Sequence, residues 1–269
     1  MSQSYVALKI VKHAAENYPQ TVAGPLLGVD LQTGLIKITQ SYSFPYTNED
    51  GTPLRIRHNV RFQDDLLNHF KETKSAVSNL GWYQSSQNGN FINEYVLDSL
   101  ASIQLKNNNS FLLIHDSSKA RYGVLSLRAF RLSEAFIKVF IKNDYKIESI
   151  NEIGLTFDNI LEEIPIQIHN NHLISLYLAG LGSTHFNKTD QLSTSSNKTK
   201  ITEQSVENLI ENVDELSNFY YQQYKKKNQN SNELTLQEWL PITGGINYTS
   251  EDVQQQVLTQ FLTDSSIRP

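Results

Sequence analysis

A chain of 269 residues, 39% apolar and 19% charged, is long enough to bury a core and suits one large domain or one medium domain with an appendage. It has no cysteine, which excludes a disulfide framework, a thiolate zinc site, an iron–sulfur cluster and a cysteine nucleophile, while metal sites built from histidine and carboxylates stay open. A net charge of −5 makes the whole chain a poor non-specific binder of nucleic acid.

The first residues, MSQSYVALKIVKHAAENYP, carry no basic lead, unbroken apolar stretch or small-residue cleavage site, so they do not read as a signal peptide. The densest apolar run, Ala135 to Ile141, is too short to span a bilayer. An intracellular, cytoplasmic and soluble protein is expected. Val6, Ala7, Ile10, Val11, Ala14 and Ala15 share one helical face, and Pro19 stops that helix. Leu26 to Val29 and the alternation of Ile36 and Ile38 predict two strands joined by a turn at Gln32-Thr33-Gly34. Phe62, Leu66, Leu67, Phe70 and Val77 predict a second helix, Leu80 to Tyr83 a short strand, and Tyr95 to Gln104 a third helix. Further strands are expected at Phe111 to Ile114, Gly123 to Leu132 and Ile164 to His169, followed by a mostly apolar helix from His172 to Leu181. Helices and strands mixed in this order predict an α+β fold, a mixed sheet flanked by helices.

Composition changes near residue 183. The Ser, Thr, Asn and Lys of 186–202 offer almost nothing to bury, which predicts a domain at 1–183, a polar linker at 184–203 and a helical tail at 204–269. In the tail, Val206, Leu209, Val213, Leu216 and Tyr220 alternate at spacings of three and four, a heptad seam with Ile210 beside it. Thr249 or Ser250, followed by Glu251 and Asp252, predicts the start of a second tail helix. Such helices must bury their stripes, against either their own domain or partner helices.

The stretch Leu80 to Ser99, LGWYQSSQNGNFINEYVLDS, together with Val22 to Gly28, VAGPLLG, resembles the MPN (Mov34, JAMM-like) domain, whose active members are zinc isopeptidases. In those, GWYHSHP presents two histidines to zinc, an Asp eleven residues after the second completes the ligands, and a Glu three residues before a glycine is the general base. Three protein ligands leave zinc an open position for water, whose pKa the metal lowers. At these spacings the present chain has Gln84 and Ser86 for the histidines, Leu97 for the Asp with Asp98 one step off, and Thr21 for the base. Amide and hydroxyl groups are poor zinc ligands, so no catalytic residue, no metal and no cofactor are expected.

VALKIVKH (6–13), LGWYQSS (80–86), VLDS (96–99), GVLSLRAFRLS (123–133) and EEIPIQIHNNHLI (162–174) are similar to the H-subunit family of eukaryotic translation initiation factor 3 over about residues 5–181. That resemblance implies a non-catalytic scaffold that supports mRNA recruitment to the 40S ribosomal subunit. It would pair with a second MPN subunit (the F component of the factor), and its C-terminal helices would join a multi-subunit helical bundle. By resemblance to MPN pairs, Ile10 and Ala14 are expected at the sister face, and the Val206 to Tyr220 seam at the bundle. The alternatives are a non-catalytic MPN subunit of a proteasome lid or signalosome, a metallo-isopeptidase with substitute ligands, and a ubiquitin-binding module.

Other features read more plainly. His169 and His172 lack a visible third ligand, and His115 and Asp116, adjacent on a strand, point to opposite sides. Arg55, Arg57, His58 and Arg61 read as a solvated loop before any RNA contact is needed.

Overall fold

The computed structural model describes residues 4–31, 35–43, 65, 68–69, 78–120, 122–142, 153–156, 159–185, 188–227 and 236–265. The turn expected at 32–34, most of the helix expected between Phe62 and Val77, and the basic cluster of Arg55, Arg57, His58 and Arg61 lie outside the described residues.

The chain opens with helix α1 (Ser4–Glu16), whose Val6, Ala7, Ile10 and Ala14 recur at helical spacing and are all buried. Strands β1 (Ala23–Asp30), β2 (Ile36–Ser41) and β3 (Ser78–Ser86) follow, then helix α2 (Glu94–Gln104), strand β4 (Phe111–Asp116) and the single turn α3 (Ser117–Ala120). Strand β5 (Leu127–Leu132), helix α4 (Glu134–Lys142), strand β6 (Leu161–Ile164) and helix α5 (His172–His185) complete the first part. Two long helices end the chain, α6 (Lys188–Lys227) and α7 (Leu236–Ser265).

The strands form one sheet in the order β2-β1-β3-β4-β5-β6, antiparallel except for the central β3–β4 pair. A parallel pair needs a crossover, which α2 supplies, and Asn93 starts that helix by accepting the Val96 amide at 3.0 Å. β4 is buried along its whole length, which is why its six residues show no polar alternation before His115. One face of the sheet packs Leu112, Ile114, Phe130 and Leu132 against Leu97, Leu100 and Ala101 of α2 and Phe136 and Val139 of α4. The opposite face packs Leu26, Leu80, Tyr83 and Leu113 against Val6 and Ile10 of α1. Each large apolar side chain so buried contributes roughly 1.5–3 kcal/mol.

Three expectations are corrected, and one helix is added. The strand expected at 164–169 lies at 161–164: Glu162 faces Arg131 across the β5–β6 ladder, and Pro165, having no amide hydrogen, ends it. The apolar run Ala135 to Ile141 belongs to α4, whose start Ser133 caps by accepting the Phe136 amide at 3.3 Å. The polar linker expected at 184–203 is helix from 188 onward. Its Ser, Thr and Asn cost only a few tenths of a kcal/mol each in helix propensity, and the same helix then buries Ile201 and Ser205. Thr249 and Ser250 start no helix; Thr249 sits inside α7 and donates its hydroxyl to the Gly245 carbonyl at 2.9 Å.

Candidate functional site

The end of β3 is held from both sides. Ser85 exchanges bonds with Val22 ahead of β1, its Oγ accepting the Val22 amide at 2.8 Å and its own amide reaching the Val22 carbonyl at 2.7 Å. On the other side, the Ser86 carbonyl accepts the Ser117 hydroxyl of α3 at 2.9 Å. Asn88 and Gly89, with φ of 55° and 77°, then turn the chain back so that Gln87 bridges Asn90, as an Asn-Gly pair favours.

The positions that the MPN resemblance aligns with a metal centre lie at this strand end and beside it. Gln84 is half-buried and Ser86 fully enclosed, with no hydrogen-bond partner for the Ser86 Oγ among the described residues. Leu97 is buried in the apolar cluster with Phe91, Leu100 and Ile114, while Thr21 and Asp98 are exposed. An amide, a hydroxyl and an isobutyl group do not fit zinc, and the neighbouring carboxylate of Asp98 lies on the solvent side of α2. Among the described residues no three His, Asp or Glu side chains converge to hold an ion.

The polar groups that do converge lie at the ends of β4 and β5, under the C-terminal hairpin. Asp116 caps α3, its Oδ1 accepting the Ser118 amide at 3.0 Å and the Ser118 hydroxyl at 2.6 Å. Burial pushes its carboxyl above the usual range, opposed by those bonds and by the Lys119 charge. His115 falls on the other face, bonded through Nδ1 to the Ser126 carbonyl at 3.0 Å, and burial holds its imidazole below the ordinary value. Lys119 reaches across to an ion pair with Asp252 of α7. Asp252 also accepts from Ser205 of α6 at 3.3 Å and from Gln256 at 2.8 Å, so one carboxylate joins the sheet domain to both tail helices.

Arg128 of β5 is the second junction. Its guanidinium forks onto Glu163 of β6, Nε to Oε1 at 2.9 Å and Nη2 to Oε2 at 2.6 Å, and meets Glu251 of α7 at 2.8 Å. It also lies over the rings of Phe130, 5.1 Å from the centroid, and Tyr248, 4.7 Å. Burial opposes its charge, but the two carboxylates outweigh burial and raise its pKa above the ordinary value. Tyr248 is buried edge-on against Phe91, with centroids 5.4 Å apart, and burial with the nearby Asp116 keeps its hydroxyl protonated.

The tail thus folds back on its own domain through α7, and α6 and α7 pair as an antiparallel hairpin whose facing side chains include Ser205, Asn212 and Thr249. Ile10 and Ala14, expected at a partner face, are both buried on the side of α1 that packs on its own sheet, because they lie on the same helical stripe as Val6. Any partner of this helix meets its outer side, where Tyr5 and Leu8 are exposed. Val206, Val213 and Tyr220 of the heptad seam are exposed and Leu209 and Leu216 half-buried. His169 and His172 are exposed. No sequence signal pointed to Arg128 or Lys119, and Glu251 and Asp252 read as first-turn acids although they are ion-pair partners.

The model of the family described as JAB1/Mov34/MPN/PAD-1 ubiquitin protease matches residues 3–109, and that of the C-terminal region of eIF3h matches residues 120–238. The sheet and flanking helices are therefore an MPN fold with a helical C-terminal region. The chain is 31% identical to the H subunit of eukaryotic translation initiation factor 3 from Yarrowia lipolytica, over 88% of this chain and 77% of that protein. It is 33% identical to the protein of the same name from Coccidioides immitis, over 67% of this chain and 53% of that protein, and 33% identical to that of Neurospora crassa, over 65% and 52%. Against these last two the match spans about half of the relatives' length.

Proposed function

We propose that this chain, which belongs to the H-subunit family of eukaryotic translation initiation factor 3, serves as a non-catalytic architectural subunit of that factor. The observation that carries the proposal is Leu97. The position that would present a ligand carboxylate is instead a core position, buried among Phe91, Leu100 and Ile114. Thr21, Gln84 and Ser86 offer no general base and no imidazole, and the residues do not fit the zinc that the fold's active members use.

What the chain offers instead is apolar surface. The first turns of α5 expose apolar side chains, with Leu173 74% and Leu176 70% accessible, and Tyr177 beside them. It starts near α1, where the Ser4 amide donates to Asn170 Oδ1 at 3.2 Å, and Tyr5 and Leu8 of α1 are exposed as well. We assign this face to pairing with a second MPN subunit, such as the F component of the factor. Val206, Ile210, Val213 and Tyr220 form a separate stripe on α6, suited to partner helices of a bundle. In this reading the assembled factor acts in the cytoplasm and brings mRNA to the 40S ribosomal particle, and this chain holds the other components in place.

Co-expression with the second MPN subunit tests the assignment. Leu173→Asp with Leu176→Asp should abolish co-purification while leaving the chain's own melting transition in place. Stoichiometric, tightly held zinc, or isopeptide cleavage abolished by a chelator, would overturn the non-catalytic reading.

A further inference from the structure

We propose that the cleft between β5 and α7 receives an arginine side chain from a partner polypeptide. The cleft measures about 130 Å3; Phe91, Ile92, Ile160 and Leu161 line it, with Arg128, Glu163 and Glu251. Small-molecule sites usually span about 300–1,000 Å3, so this space suits a single inserted side chain rather than a nucleotide or sugar.

Charge selects the kind of side chain. Arg128 supplies one positive charge against the two carboxylates of Glu163 and Glu251, leaving one negative charge in excess. The excess faces outward, because the Glu163 and Glu251 side chains are 41% and 61% exposed while that of Arg128 is 10% exposed. A negative mouth repels phosphate, which argues against nucleic acid and for a cation. Ile92, Ile160 and Leu161 cover the methylene stem of an inserted side chain, while the faces of Phe130 and Tyr248 already carry the Arg128 guanidinium. An ammonium is more strongly hydrated and has no planar fork to match a carboxylate, and so gains less here. The cleft is separate from the α5 face and the α6 stripe, so its occupancy stands or falls independently of the pairing assigned to them.

The test uses the isotope-labelled full chain and three probes: N-acetyl-arginine N-methylamide and the lysine and norleucine counterparts. The arginine probe should give saturable shifts at the amides of Thr243, Gly244 and Asn247, with a Kd on the order of 10 mM. The lysine probe should bind several-fold more weakly and the norleucine probe should not saturate. Glu251→Gln, at a half-exposed position, should weaken the arginine probe roughly fivefold while preserving the melting transition. Absence of saturable shifts at these amides with the arginine probe on the unsubstituted chain overturns the proposal. So does equal affinity for either comparison probe, or a folded Glu251→Gln chain that binds as tightly as before.

Discussion

The ring of Tyr248 in α7 occupies the space that a Cβ on Gly89 would take. Gly89 therefore serves twice: it adopts the left-handed φ of 77° that ends the β3 turn, and it lets the C-terminal hairpin seat on the sheet domain. Gly89→Ala should cost about 1–2 kcal/mol for the backbone conformation and about 1–3 kcal/mol more for overpacking against the ring. Gly123→Ala is the control, having the same φ of 77° and nothing within 4 Å of its missing Cβ. Urea denaturation of both variants checks the difference, and equal losses would show that the ring contact carries no weight.

The burial of Leu97 gives the proposed non-catalytic reading an energetic side as well as a chemical one. Leu97→Asp, which restores the carboxylate of active relatives, should destabilise the chain by about 3–5 kcal/mol, since it removes apolar burial and encloses a charge. Leu97→Met should cost less than about 1.5 kcal/mol. Thermal and chemical unfolding of the two variants check the contrast; a tolerated Asp would mean that the position is not core.

The ion pair of Lys119 and Asp252 is largely enclosed, with side chains 11% and 14% exposed, whereas Arg131 and Glu162 pair in the open. A double-mutant cycle on Lys119→Met and Asp252→Asn should give a coupling of about 1–3 kcal/mol. The same cycle on Arg131→Ala and Glu162→Ala should give at most about 1 kcal/mol and fade with added salt.

Asp116 predicts a pH dependence of definite sign. Burial raises its folded-state pKa above the ordinary 3.8, so the native chain still binds a proton where the unfolded chain has released it. The stability this group confers is therefore full below 3.8 and is lost as pH rises through the raised value. Asp116→Asn keeps an acceptor for Ser118 and removes the titration. Its stability relative to the unsubstituted chain should climb as pH rises above the ordinary 3.8 and level off once the raised value is passed, measured by urea unfolding. A flat difference would show that the carboxyl is not strained by burial.

Much of this arrangement was legible in the residues. Helical spacing located α1 and α2, and the GWY strand located β3. What periodicity could not supply was partnership across the fold. Ile10 and Ala14 look the same in sequence whether their stripe meets a sister subunit or the chain's own sheet; the structure buries both, Ile10 in one cluster with Leu26 and Tyr83. The edge strand β6 moved because Glu162 and Glu163 answer Arg131 and Arg128, a cross-strand match that alternation alone does not reveal. Thr249 imitates a helix cap, yet it lies inside α7, where it hydrogen-bonds the preceding turn and receives Asn212 at 3.5 Å.

The most direct test of the architectural role is affinity purification of the full chain from cells that make it, with identification and stoichiometry of the bound proteins. Components of translation initiation factor 3, among them a second MPN protein, are expected, together with 40S ribosomal particles. Ile210→Asp with Val213→Asp should release the helical-bundle components. Recovery of proteasome-lid or signalosome proteins around an active isopeptidase, with no initiation factor, would contradict that role.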